Sequence, residues 1–91
     1  MSVHVRIPTI LRTYTQGVSE VTAEGTTLAE VLEDLEANHN GIKARVLDDA
    51  GELRRFVNVY VGNDDVRFLD GLASPTPDGT QISIIPAVAG G

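Results

Sequence analysis

Few side chains in this sequence have the type and spacing needed for a reaction. With no cysteine present, disulfides, thiolate metal sites and thiol nucleophiles are all excluded. His4 and His39 stand far apart and have no companion nucleophile. His4 falls on the polar side of a strand-like run, and His39 falls at a helix end, where the dipole favours a cation. Both read as structural. The adjacent pairs Asp48-Asp49 and Asp64-Asp65 lack the alternating oxygen ligands and later glutamate of a calcium loop, and turn formation accounts for them better. The nine glycines are scattered and none precedes Lys-Ser or Lys-Thr, so there is no phosphate-cradling loop. The sequence therefore predicts no catalytic group, no metal site and no cofactor bound by this chain.

What remains is the C-terminal run Pro86-Ala87-Val88-Ala89-Gly90-Gly91. Two readings are open. A short run of small residues is commonly a frayed terminus. Alternatively, the lack of a Cβ makes Gly90 and Gly91 a thin strip that fits a narrow cleft. Val88, Ala89 and Gly90 would then enter a partner's active site, and the Gly91 carboxylate would be the handle on which that partner acts. On this second reading the chain is a substrate for other catalysts and not itself an enzyme.

Such a tail needs a body to present it. Val3-His4-Val5-Arg6-Ile7 alternates apolar with polar, as a half-buried strand does, and Pro8 ends it. Val18 to Ala23 is a second, weaker strand candidate, joined to the first as an antiparallel hairpin by the intervening segment, which with Thr13, Thr15, Gln16 and Gly17 reads as a turn. A helix follows. Thr27 and Glu30 have capping-box spacing, and Leu28, Val31, Leu32 and Leu35 form one apolar stripe. Asn38, Asn40 and Gly41 tolerate a left-handed helix end. Ile42, Val46 and Leu47 suggest a short helical turn before the loop Asp48 to Gly51. Strand character returns over Arg55 to Val61, then in a short edge strand over Val66 to Leu69, and finally over Gln81 to Ile85.

One amphipathic helix against a small sheet buries both apolar faces in two layers. The fold class predicted is α+β: a small mixed sheet with one main helix, in which the first and last strands pair in parallel at the centre. This is the β-grasp, or ubiquitin-like, arrangement. Residues 1–86 form the domain and 87–91 a flexible tail.

Ninety-one residues supply one core. With 42% hydrophobic and 22% charged residues the chain is a folded domain. No run approaches the roughly 20 apolar residues of a membrane span, and no secretory signal is visible, so the expected location is cytoplasmic. The net charge of −6 argues against nucleic acid, and the Arg54-Arg55 spot is too small for such a footprint. The acidity is better explained by solubility than by a basic protein partner, which it would also suit.

The tail together with this order of elements resembles the ubiquitin-like sulfur carriers of the ThiS/MoaD family, over essentially the whole chain. The resemblance is carried by Ile7-Pro8-Thr9-Ile10-Leu11-Arg12, by Arg55-Phe56-Val57-Asn58-Val59-Tyr60-Val61 with Asp65-Val66-Arg67-Phe68, and by Ile84 to Gly91. Within the family it is similar to the branch serving an alternative route of cysteine synthesis. The resemblance implies that a ubiquitin-activating-like adenylyltransferase and sulfurtransferase uses ATP to adenylate Gly91, and that sulfide then replaces AMP to leave a thiocarboxylate. A sulfur-accepting biosynthetic enzyme, here a pyridoxal-phosphate cysteine synthase, would take the sulfur, and a metalloprotease would release the cysteine formed on the tail. ATP, pyridoxal phosphate and metal all belong to those partners.

A docking surface must accompany the tail. If Val57, Val59 and Val61 face the helix, Phe56 and Tyr60 occupy the opposite face of the sheet, joined by Ile85. A covering loop or a register shifted by one residue would remove that patch. Other fates for the sulfur are molybdopterin, thiamine or a secondary metabolite. A ubiquitin-like protein modifier and a plain β-grasp interaction domain are the alternatives of a different kind.

Overall fold

The computed structural model describes residues 2–55 and 57–86. Five strands form one sheet: β1 (Ser2–Arg6), β2 (Glu20–Glu24), β3 (Val57–Val61), β4 (Asp64–Asp65) and β5 (Gln81–Pro86), in the order β2-β1-β5-β3-β4. β1 pairs antiparallel with β2 and parallel with β5, whose other edge pairs antiparallel with β3. Parallel pairing requires a long crossover, and all the chain between β1 and β5 provides it. The expected mixed sheet, with first and last strands adjacent, is the one observed.

Helix α1 (Leu28–Asn38) lies across one face of the sheet, and the single turn α2 (Lys43–Val46) follows. Leu28, Val31, Leu32 and Leu35, on one side of α1, are all fully or almost fully buried. They pack with Val3 and Val5 of β1, Val57, Val59 and Val61 of β3, and Ile82 and Ile84 of β5 in one cluster. Each such side chain removed from water contributes roughly 1.5–3 kcal/mol before conformational entropy is set against it. The period of 3.6 on the helix and of two on the strands therefore converge on the same core.

Thr27 caps α1 by accepting the N–H of Glu30 at 3.4 Å. The return half of the capping box is displaced by one residue. The Glu30 carboxylate accepts from the backbone N–H of Thr26 at 2.8 Å and from its hydroxyl at 2.9 Å. These bonds, the backbone one foremost, hold the Glu30 carboxyl below its ordinary pKa. At the other end Gly41 takes φ +100°, and a Cβ there would meet the Tyr14 ring at 3.0 Å. The Gly41 and Lys43 N–H groups both donate to the Glu36 carboxylate at 3.0 Å, which lowers its pKa in turn.

Three expectations need correction. The hairpin connection is not a simple turn: Thr9–Thr15 forms a 3-10 helix that buries Leu11 and Thr15, with the reversal confined to Gln16 and Gly17. The second strand begins at Glu20 rather than Val18, which is exposed. Val66 to Leu69 is not a strand. β4 stops after two residues, and Val66–Phe68 coils into a 3-10 turn because the Asp65 carboxylate accepts the Arg67 N–H at 2.8 Å. A short polar side chain that bonds its own backbone in this way competes with the ladder.

Candidate functional site

Strand alternation sorts β3 cleanly. Val57, Val59 and Val61 are buried beneath α1, whereas Asn58 and Tyr60 are half-buried on the opposite face. On β5 the partners are Ile85 beside Asn58 and Ser83 beside Tyr60, so Ile85 and Tyr60 share that open face. Ile85 is 47% exposed. Phe56 lies outside the described residues, so the patch expected from Phe56, Tyr60 and Ile85 is described here for the latter two.

The rest of the open face is polar. His4 and Arg6 of β1 stand between Glu20 and Thr22 of β2 and Gln81 and Ser83 of β5. His4 Nδ1 is 3.8 Å from a Glu20 carboxylate oxygen whose partner oxygen accepts from the Gln81 amide at 3.3 Å. The open face is thus charged at the β2 side and carries its apolar groups toward β3 and the end of β5. No cluster of three or more His, Cys, Asp or Glu suited to a metal exists among the described residues.

β5 reaches the sheet margin at Pro86, which pairs with Val57. That corner is fastened by Arg67, whose guanidinium donates to the Asn58 side-chain oxygen at 2.5 Å, the Arg54 carbonyl at 2.7 Å and the Val57 carbonyl at 2.8 Å. The planar fork meets three acceptors from two separate nitrogens, a geometry that an ammonium does not share. Arg67 thus fixes the start of β3 beside the point where the final residues depart. Sequence reasoning missed this role because the acceptors lie 9 to 13 positions away. It also missed Phe68, 87% exposed, next to Leu69 at 44%. The Asp65-x-Arg67 spacing, a side chain bonding the backbone two residues on, was the available signal for a turn in place of a strand.

The expected tail, 87–91, with Val88, Ala89, Gly90 and Gly91, falls outside the described residues. No described helix is long and apolar enough to cross a membrane.

Against known proteins, the chain is 54% identical over 93 residues to the sulfur carrier protein CysO of Mycobacterium tuberculosis, covering all of both chains. Its fold matches the crystal structure of that organism's CysO with a TM-score of 0.91 and 52% identity, over 94% of this chain and 99% of the other. It also matches a chain in the crystal structure of the Amycolatopsis orientalis BexX/CysO complex, with a TM-score of 0.93 and 52% identity over 98% and 99% of the two chains. These likenesses bear out the β-grasp architecture. The sequence profile of the ThiS family matches residues 5–91, and with nearly the whole length covered, the chain belongs to the ThiS family.

Proposed function

We propose that this protein is a sulfur carrier whose Gly91 carboxylate is activated and thiolated by one enzyme and whose sulfur is consumed by another, in cysteine synthesis. The observation that carries this reading is the end-to-end match to a relative named as a sulfur carrier, at 54% identity with no part of either chain left over. The fold supports it. Its last strand stands at the centre of the sheet and leads into the terminal residues.

The chemistry proceeds in two steps on one carboxyl group, the first at phosphorus and the second at the acyl carbon. The Gly91 carboxylate attacks the α-phosphate of ATP, forming an acyl-adenylate and releasing pyrophosphate. Sulfide then attacks the acyl carbon, the C–O bond to AMP breaks, and AMP leaves with its electron pair. The product is a thiocarboxylate, ionised at neutral pH because a thiocarboxylic acid is far more acidic than a thiol. That sulfur displaces the leaving group of an activated serine derivative, for which pyridoxal phosphate in the acceptor enzyme supplies the electron sink. A metalloprotease then hydrolyses the bond that holds the new cysteine to the tail. Nucleotide, pyridoxal phosphate and metal reside in these partners.

The contribution of this chain is presentation. A five-residue peptide extends at most about 17 Å, so an enzyme that engages Gly91 lies close against the sheet margin. Tyr60 and Ile85, together with Phe56, are the residues we assign to that contact. A relative of 52% identity crystallised in a two-protein complex is consistent with a carrier that works by docking.

Intact-mass measurement after incubation with an activating enzyme, ATP and sulfide tests the reading. The expected result is replacement of one oxygen by sulfur, confined to the C-terminal residue. An unchanged mass, with the enzyme active on another carrier, refutes it. Covalent adducts with lysines of other proteins would favour the modifier reading instead.

A further inference from the structure

The sulfur-carrier reading makes Gly91 an electrophile, and an activated acyl group reacts with any amine or thiol that reaches it before sulfide does. The chain itself offers few. It has no cysteine, and of its seven Lys and Arg residues only Lys43 is a lysine. The others carry guanidinium groups, which stay charged and do not attack. Were Lys43 to intercept the adenylate, its nitrogen would bond to the acyl carbon and the C–O bond to AMP would break. AMP would leave with the electron pair and the nitrogen would pass a proton to water. An amide would then stand where sulfide needs an activated carboxyl, closing a ring within one molecule or joining two.

Lys43 opens α2 in a setting that holds its nitrogen. The ammonium donates to the Glu33 carboxylate of α1, and the lysine side chain is only 32% exposed. Glu36 accepts the backbone N–H of the same residue at 3.0 Å, and Glu36, Asp48 and Asp49 line the hollow next to it. Four carboxylates therefore gather about the one lysine, and Glu33 is the one that its ammonium touches. An ammonium that donates to a carboxylate must break that contact and lose a proton before its nitrogen can attack.

The place of α2 in the fold gives this contact its weight. Arg54 ties α2 to the start of β3, its N–H donating to the Val46 carbonyl at 2.9 Å and its Nε to the Ala44 carbonyl at 3.0 Å. The Arg54 carbonyl accepts the Val57 N–H at 3.1 Å, and Val57 pairs with Pro86. The helical turn that carries Lys43 is thus joined to the corner from which the final residues leave. We propose that Glu33 guards Lys43, reserving the activated tail for sulfide by withholding the one side-chain amine of this chain that could intercept it. This rests on the sulfur-carrier reading and adds to it the residue that keeps the chain from modifying itself.

Two measurements test it. In the first, the full chain meets a limiting amount of an acetylating ester, and peptide mass spectrometry gives the rate at Lys43 relative to the α-amino group. An exposed ion pair is a modest restraint, so Glu33→Gln should raise that ratio by about two- to fivefold. Asp64→Asn, which removes a charge at β4, should leave the ratio unchanged. An unchanged ratio in Glu33→Gln, or an equal rise in both variants, overturns the inference. In the second, the activating enzyme and ATP are supplied without sulfide. Glu33→Gln should form an amide between Gly91 and Lys43, seen as the loss of one water from the intact mass or as a dimer, and wild type should not. That amide in wild type, or its absence from an activated Glu33→Gln chain, overturns the guard while leaving the carrier reading intact. Failure of the wild-type chain to be adenylated overturns the carrier reading, and the acetylation ratio then decides the guard alone.

Discussion

Replacing Arg67 by methionine would keep the apolar stem and remove only the donors. Three bonds are lost: to the Asn58 side chain at 2.5 Å, to the Arg54 carbonyl at 2.7 Å and to the Val57 carbonyl at 2.8 Å. A hydrogen bond from a charged group is worth roughly 1.5–3 kcal/mol net when water is excluded, and far less when water can take its place. The Val57 bond is partly buried and the other two are exposed. Counting about 1.5 kcal/mol for the first and about 0.5 for each of the others gives roughly 2.5 kcal/mol. In a domain of this size 1 kcal/mol moves the melting temperature by about 4–8 °C, so Arg67→Met should melt roughly 10–20 °C below wild type. Circular dichroism melts supply the measurement. Amide hydrogen exchange should show the extra opening concentrated at the Val57 end of β3. Arg67→Lys, with a charge but no planar fork, should fall between the two. A methionine variant that melts within about 2 °C of wild type would show that the three bonds are matched by water and that the corner holds without them.

Two further outcomes follow from the fold. Gly25 has φ +157°, and a Cβ there would lie 2.7 Å from the Val31 nitrogen and 2.8 Å from the Glu30 Cβ, atoms fixed by the start of α1. Gly25→Ala should therefore cost about 2–4 kcal/mol in chemical denaturation, whereas Gly51→Ala, with open space around its Cβ, should cost about 1–2; equal effects at the two positions would refute the steric account. The lowered pKa values of Glu30 and Glu36 come from backbone N–H donors, joined at Glu30 by the Thr26 hydroxyl, that are in place only in the folded state. Their stabilisation is fully present above the ordinary glutamate value of about 4.3 and is lost as pH falls through the lower folded values. The double variant Glu30→Gln with Glu36→Gln should flatten the acid side of the stability profile, and an unchanged slope there would refute the assignment.

The parts of the fold legible in the sequence were those with a period. The stripe Leu28, Val31, Leu32, Leu35 and the alternation Val57, Val59, Val61 each report a face, and the faces proved complementary. The same alternation placed Tyr60 opposite the helix, with Ile85 brought to the same face by the partner strand. What was illegible depends on bonds between side chain and backbone. The β-branched Val66 reads as strand until the Asp65 carboxylate turns the backbone beneath it. Thr9–Thr15 reads as a turn because its apolar residues are too few to show a period, yet Leu11 reaches the core. Arg67 reads as an ordinary surface cation, since nothing local announces acceptors supplied by another strand.

The placement of β5 has a consequence for how the molecule comes into being. His4 pairs with Gln81, so the middle of the sheet is assembled from opposite extremes of the polypeptide. Until residues 81–86 join, β1 and β3 each have a bare edge and the hydrophobic layer under α1 lacks Ile82 and Ile84. Closing so large a loop is entropically unfavourable and slow relative to local structure. The strand that completes the centre of the sheet is thus the last one in sequence, and the core cannot close without it. Proteolysis that trims beyond that strand's end dismantles the whole body instead of merely blunting it.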